Sequence, residues 1–517
     1  MSDRRDETEA AGAEFDVTQG HINSVVGDAT GREAQQILSR IEKMRHLRAQ
    51  GIEAYGDGYQ RTHNIDQIIS NYEEFEGETV RLAGRLTASR GHGKVAFTDL
   101  QDLTGTIQIF AKQDNVGEEQ YRVFKSLDVG DIVGIAGEVF KTRSGEVSLR
   151  LDTFQLLTKS LRPLPEKWHG LKDVELRYRR RYLDLIVNPG VRETFVIRSK
   201  VISAIRNYLD DQGFLEVETP TMSTIAGGTV ARPFATHHNA LDLDLYLRIA
   251  TELHLKRLLV GGMEQVYEIG KVFRNEGIST QHNPEFTLLE LYQAYADYRD
   301  MMKLTEDMVA SVAEGVLGTT ALEYQGHKID FAPPWERVYM NDALEEFAGV
   351  HLDDFASLEG ARQTAGKLEV HVDKKMSRAK ILDEVLKEYV EKRLIQPAFL
   401  IGHPVDISPL ARRNADNPAY TDRFEPFVAG FEIGNAFSEL NDPIDQRQRF
   451  NDQAGKRETG DDEAHMMDED FLYALEHGMP PAGGLGIGID RLIMLFTDAA
   501  SIRDVILFPL LRPERDE

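Results

Sequence analysis

The feature that most constrains the fold lies between Glu264 and Tyr295, in EQVYEIGKVFRNEGISTQHNPEFTLLELYQAY. Tyr267, Ile269 and Phe273 alternate with Glu268, Gly270, Val272 and Arg274, the period of a strand. The connection from Asn275 to Asn283 is rich in Gly, Ser, Thr and Asn, as a loop should be. After it, Phe286, Leu288, Glu290 and Tyr292 share one face, because side chains repeat every second residue. The stretch therefore reads as a hairpin. It offers an arginine (Arg274), a loop acid (Glu276), a loop histidine (His282) and an aromatic ring (Phe286), with Glu290 and Tyr292 beyond them. Arginine forks onto phosphate, and an aromatic face stacks on a purine. Taken alone, the same residues also describe a surface hairpin with scattered charges.

The rest of the chain narrows the choice. Its 517 residues allow two to four domains, and 41% hydrophobic with 28% charged residues is an ordinary globular balance. No apolar run is long enough to span a bilayer, and MSDRRDETEA has no apolar signal segment, so no membrane role is expected. The absence of cysteine excludes disulfides and thiolate metal sites and fits a cytoplasmic setting. A net charge of −26 argues against indiscriminate coating of nucleic acid. Any such partner has to meet local basic patches.

Residues 1–30 are polar, acidic and aperiodic, which predicts a disordered tail. A helical segment is expected over 31–62, with Ile37, Ile41, Met44 and Leu47 at helical spacing and Gly51 as its stop. From about Glu78 to Leu157, five short alternating stretches broken by glycine turns predict a small barrel of the oligonucleotide-binding kind, within a domain spanning 63–160. Phe97 and Gln108 on neighbouring strands suit stacking and edge-reading of an unpaired base. A strand phenylalanine is also a common core residue. Residues 161–190 read as a linker carrying the basic run RYRRRYLDL, which faces either phosphate or solvent.

A large domain follows over 191–517, with a mostly helical insertion at about 298–394. FLEVETPTM reads as a strand ending at Pro220, and proline there points to an edge or an interface. LDLYLRIATEL reads as a strand with Tyr246, Arg248, Ala250 and Glu252 on one face. In FEPFVAGFEIGNAFSELNDP, Asn435, Phe437 and Glu439 share a face. In GLGIGIDRLIMLF the three glycines alternate, so a ligand could lie directly on the backbone at Gly486 and Gly488. Arg491 opens the helix that follows.

Together these stretches resemble the class II aminoacyl-tRNA synthetases. FRNE with His282 and Phe286 resembles their motif 2, GLGIGIDR their motif 3, and GFLEVETP their motif 1. The order of motifs behind an N-terminal barrel resembles the aspartate–asparagine–lysine subgroup. ARPFATHHNALDLDLYLRIATELHLKRLLVGG, RNEGISTQHNPEFTLLELYQAYADY and GNAFSELNDP are similar to its lysine-specific members. The resemblance covers nearly the whole chain from about residue 33.

The resemblance implies an α+β chain: a five-stranded OB-fold barrel for the anticodon, then an antiparallel catalytic sheet flanked by helices. It implies a homodimer formed partly through motif 1, at Pro220. It also implies activation of L-lysine with ATP and Mg²⁺ and transfer to the 3′ end of tRNA(Lys). Carried over by position, Arg274 would hold the α-phosphate, Glu276 read the adenine, and His282 lie near the terminal phosphates. Phe286 and Arg491 would sandwich the base. Gly228 and Glu252 would hold the α-ammonium, Asn435 the carboxylate, and Phe437 the aliphatic stem. Glu290, Tyr292 and Glu439 would surround the ε-ammonium, and Glu425 and Glu432 would bind magnesium. Arg90, Phe97, Gln108 and Glu146 would contact the anticodon.

One of these roles strains the sequence pattern. Simple alternation puts Glu432 on the face opposite Asn435. Either a β-bulge intervenes or the metal role fails. An aspartate-specific relative would share the ATP motifs, but Glu290 and Glu439 would set buried anions against an anionic substrate. A non-catalytic nucleic-acid-binding chain would need neither motif arginine nor the glycine strand.

Overall fold

The computed structural model describes residues 19–165, 171–373, 376–458 and 465–513. The chain divides into two compact units, Met1–Lys172 and Asp173–Glu517. Among the described residues, no helix is long and apolar enough to cross a membrane.

In the first unit the helix Gly31–Ala49 buries Ile37, Ile41, Met44 and Leu47, the stripe its spacing predicts. Gly51 ends it at φ +76, where a side chain would be strained. The expected tail over 1–30 differs at its described end. Gln19–Val26 is a helix whose Ile22 packs on Ile37, Ile41 and Met44. Residues 1–18 lie outside the described residues.

Five strands, Thr79–His92, Val95–Gln101, Thr106–Lys112, Ile132–Lys141 and Val147–Thr158, close into a barrel. Only Thr106–Lys112 and Val147–Thr158 run parallel. The long first strand bends at a register irregularity between Leu86 and Ala88, and local bulges supply the curvature that closure requires. Inward positions such as Leu100, Ile109, Ile135 and Leu149 fill the interior.

The second unit begins earlier than expected. The stretch read as a linker contains two short helices, Val174–Arg179 and Arg181–Val187. Arg181 of the basic run is wholly buried. It donates to Asp184 (2.8 Å) and to the carbonyls of Arg503 (2.7 Å) and Leu507 (3.0 Å). This arginine faces the interior, neither phosphate nor solvent.

The central sheet runs, edge to edge, Glu336–Tyr339, Ala398–Ile401, Arg423–Val428, Gly434–Ser438, Ala482–Gly488, Glu285–Ala294, Gln265–Phe273 and Leu215–Glu216. The inner pairs are antiparallel, as expected, while each edge strand pairs parallel to its neighbour. Val201, Met301, Val309 and Leu495, on flanking helices, pack with Leu289, Leu291 and Ile487 of the sheet. The opposite face of the sheet is left for the site.

Three expectations shift locally. The strand expected to end at Pro220 is only Leu215–Glu216, at the sheet edge, and Pro220 follows it exposed. The strand expected to reach Glu252 stops at Leu247; Glu252 is instead the first residue of the helix Glu252–Val260. The stretch 298–394 also holds the hairpin Ala321–Tyr324/His327–Asp330 and the strand Glu336–Tyr339, which joins the central sheet. Four-residue strands are too short to leave a clear periodic pattern.

Candidate active site

Strand register builds the floor of the site. Glu290, Gly486 and Asn435 stand opposite one another on three adjacent strands, and so do Tyr292, Gly484 and Phe437. The glycines keep the middle strand bare, but for two reasons. A Cβ at Gly484 would lie 2.0 Å from Glu439 Oε1 and 2.5 Å from the Tyr292 ring, so protein packing demands glycine there. At Gly486 and Gly488 the nearest atoms would be 3.7 Å away, and the space above is open. That space belongs to a cavity of about 360 Å³, a size typical of small-ligand sites. Gly228, Glu252, Arg274, Glu276, His282, Phe286, Glu425, Glu432 and Arg491 also line it. Gly228 sits at φ +94, and a Cβ there would press on Ala250 at 3.0 Å.

At one end the Arg274 guanidinium covers the Phe286 ring, 5.1 Å from its centroid. Its Nε donates to the Ile249 carbonyl at 3.3 Å. Arg491, expected to sandwich the base with Phe286, reaches the Glu432 carbonyl at 2.5 Å and His282 Nε2 at 3.2 Å. Loss of solvent and then the Arg491 charge lower His282 to about 4, so Nε2 accepts and the ring is neutral near pH 7. Its Nδ1 meets Ser279 Oγ at 2.9 Å.

The Glu432 conflict is resolved by a bulge. Phe427 pairs with Glu432, whereas Phe424 pairs with Ala436. Three steps on one strand thus match four on the other, and the extra residue reverses the facing. Ile433 enters the core, and Glu432 and Asn435 both line the cavity. Burial raises Glu425, but His403 (3.2 Å) and Arg423 (2.6 Å) outweigh it and hold the carboxyl at about 2. Burial and then the Glu425 charge push Glu432 up to about 7. Two hard carboxylate donors here repel one another, an arrangement a cation relieves.

The closed end holds three more carboxyls. Glu290 Oε1 accepts from the Thr251 N–H at 3.0 Å, and Tyr292 Oη donates to Glu290 Oε2 at 3.3 Å. Burial, then the Glu252 charge, raise Glu290 to about 7. Glu439 is not on the cavity wall. It lies fully buried beneath it, ion-paired through Oε2 with Lys256, and its Oε1 has no hydrogen-bond partner. Arg423 Nε donates to Asn435 Oδ1 at 2.8 Å and Arg423 Nη2 to Glu425 Oε1 at 2.6 Å, tying the two residues together.

Arg423, His403 and Lys256 were missed by sequence reasoning. Alternation could have found Arg423, which shares a strand face with Glu425. The i, i+4 spacing from Glu252 could have found Lys256. Nothing local marks His403.

On the barrel, considered by itself, Ala96, Thr98 and Leu100 point inward and Phe97 lies half-buried on the outer face. Arg90 stands opposite Phe97 in the register. Gln108 Nε2 donates to Glu146 Oε2 at 3.2 Å. The structure thus brings the four expected residues onto one outer face. It adds Phe110, 5.2 Å from Phe97, and Phe140, 5.9 Å from Phe110.

An α+β chain with this motif-bearing sheet is matched over residues 173–512 by the model of the class II tRNA synthetases (D, K and N), and the chain belongs to that family. Residues 80–157 match the OB-fold nucleic acid binding domain of anticodon-binding type. The chain is 60% identical to the lysine–tRNA ligase of Moorella thermoacetica, over 92% of this chain and 98% of that one. It is 59% identical to the lysine–tRNA ligase of Thermoanaerobacter pseudethanolicus, over 92% and 96%. With the lysine–tRNA ligase of Bacillus subtilis the identity is 57%, over 92% and 97%.

Proposed function

We propose that this chain is a lysine–tRNA ligase, which activates L-lysine with ATP and transfers it to the 3′ end of tRNA(Lys). The observation that carries the choice of amino acid is the closed end of the cavity. Two buried carboxyls, Glu252 and Glu290, and the Tyr292 phenol line it, and a third carboxyl, Glu439, lies buried beneath them. An ammonium group entering a dry pocket needs charged acceptors. An aspartate side chain would face like charge there. The shared name of relatives 56–60% identical supports the same assignment.

In the first step the lysine carboxylate oxygen attacks the α-phosphorus of ATP, and the bond to pyrophosphate breaks. No protein base is needed, since the nucleophile is already ionised. Arg274 and Arg491 offset the charge that develops on the phosphates. Phe286 offers a stacking face for the purine, and Glu276 and neutral His282 lie at the cavity rim. Asn435, fixed by Arg423, meets the amino-acid carboxylate. Gly228 leaves room for the α-ammonium beside Glu252. Among the described residues no three His, Asp or Glu side chains group as a metal site. Glu425 and Glu432 would hold Mg²⁺ as a pair of hard oxygen donors. Bound there, the ion supplies Lewis-acid stabilisation of the phosphates. In the second step a terminal ribose hydroxyl of tRNA attacks the adenylate carbonyl, and AMP and the hydroxyl proton leave.

The outer barrel face with Arg90, Phe97, Gln108 and Glu146 is the anticodon surface in this reading. Dimerisation would use the sheet edge near Pro220, where Leu215 is 52% and Met222 52% exposed. A cytoplasmic location follows from the reading, since that is where tRNA is charged for translation. The test is charging. With ATP and Mg²⁺, the purified chain should esterify labelled lysine onto a tRNA(Lys) transcript, and a folded chain that leaves the transcript uncharged contradicts the proposal.

A further inference from the structure

Lys256 sits where a lysine-binding pocket should least tolerate a protein lysine. Its side chain is wholly buried on the helix Glu252–Val260. Its Nζ donates to Glu252 Oε1 at 2.5 Å and pairs with Glu439. Phe437, Phe471 and Tyr292 surround it, their ring centroids 5.4, 5.9 and 6.0 Å away. This is a desolvated ammonium held by charge and by aromatic faces. It bonds the two carboxylates that the lysine reading gives to the α- and ε-ammonium groups of the substrate.

Counting charge explains the arrangement. Glu252, Glu290 and Glu439 would carry three negative charges in a buried space, and Lys256 removes one. The two that remain match the two ammonium groups of free lysine, whose carboxylate faces Arg274 and Asn435. We infer that Lys256 is a positioning residue that sets amino-acid selectivity, its buried ammonium trimming a three-carboxylate pocket to the charge complement of a dication. This rests on the lysine reading above. Lys256 leaves Oε1 of Glu439 unpartnered and fixes Oε2, so the carboxylate is both oriented and incomplete.

The surrounding groups agree. The strand Glu285–Ala294 contributes Glu290 and Tyr292; the helix Glu252–Val260 contributes Glu252 and Lys256; the helix Glu469–Glu476 contributes only the Phe471 ring. Arg423 and Arg274 act on Glu252 and Glu290 from the carboxylate side. Burial raises all three carboxyls. Burial opposes the charge on Lys256, but Glu252 and Glu439 outweigh it and keep the amine cationic. Without that cation the carboxyls would hold protons more tightly, and a bound ammonium would have to expel them.

The experiment is amino-acid-dependent ATP–pyrophosphate exchange with the whole chain, comparing wild type with Lys256→Met, Lys256→Gln and Lys256→Arg. Lysine is compared with norleucine, which has the same chain without the ε-ammonium. Lysine-dependent exchange by the wild type is the control; its absence would refute the lysine reading itself. In Lys256→Met and Lys256→Gln the KM for lysine should rise about tenfold or more, while the KM for ATP stays within about twofold. The preference for lysine over norleucine should shrink by about tenfold or more, because a carboxyl that keeps its proton no longer penalises a neutral side chain. The KM for lysine should also fall more steeply than in wild type from about pH 6.5 to 8.5, as the protonated carboxyls ionise. Lys256→Arg should retain most of the selectivity. Unchanged lysine KM and selectivity in folded Lys256→Gln would overturn the inference. So would a parallel loss for lysine and ATP, or a Lys256→Gln chain that does not fold, since either assigns Lys256 to structure alone.

Discussion

Glu439 is fully buried, with one oxygen on Lys256 and the other facing no donor. A buried carboxyl left half-paired in this way is costly. Glu439→Gln keeps the shape and removes the charge. Truncating one partner of a buried charge pair costs about 2–5 kcal/mol. The KM for lysine in pyrophosphate exchange should therefore rise by tens to thousands of fold, with a far smaller change for ATP. A lysine KM within about twofold of wild type in the folded variant is expected instead if Glu439 only pairs structurally with Lys256. The wild type should show a related pH effect. Glu290 is raised to about 7 and must be ionised to hold an ammonium, so the KM for lysine should rise as the pH falls through about 7. A flat profile from about pH 8 to 6 would remove Glu290 from the lysine site. At this scale the sequence was legible wherever a strand face was unambiguous. Arg274, Phe286, Glu290 and Tyr292 follow from alternation within one hairpin. The pairings of Lys256 with Glu439 and of His403 with Glu425 join segments far apart in the chain, and no local pattern encodes them.

Elements decide which of those faces meet. The bulge at Ile433 turns Glu432 into the cavity. The local sequence IGN does not distinguish a bulged strand from a straight one, so alternation alone left the question open. The helix start at Glu252 is masked because LDLYLRI alternates well; Thr251 at the N-cap, with Glu252 in the first turn, is the local sign of it. The barrel, in contrast, was readable from its turns and its period. Its outer face is an aromatic run, Phe97–Phe110–Phe140, flanked by Arg90 and Gln108. Stacking on such a platform is worth roughly 1–3 kcal/mol per base. Phe97→Ala should weaken tRNA charging about tenfold or more and leave pyrophosphate exchange unchanged. Since Phe97 lies outside the barrel core, a matched loss in both assays would mean that the substitution disturbs folding and that the ring is no base platform.

The whole molecule is two compact units with separate tasks assigned here, recognition of tRNA on the barrel and activation on the sheet. Family membership alone admits three amino acids, since its model spans the D, K and N enzymes. What distinguishes them in this chain is charge at the closed end of one cavity. Screening all twenty amino acids for ATP–pyrophosphate exchange, with Mg²⁺ and the full chain, tests that claim most directly. Exchange should depend on lysine and stay near background with aspartate and asparagine. Exchange driven by aspartate or asparagine instead, or by no amino acid at all, would contradict it.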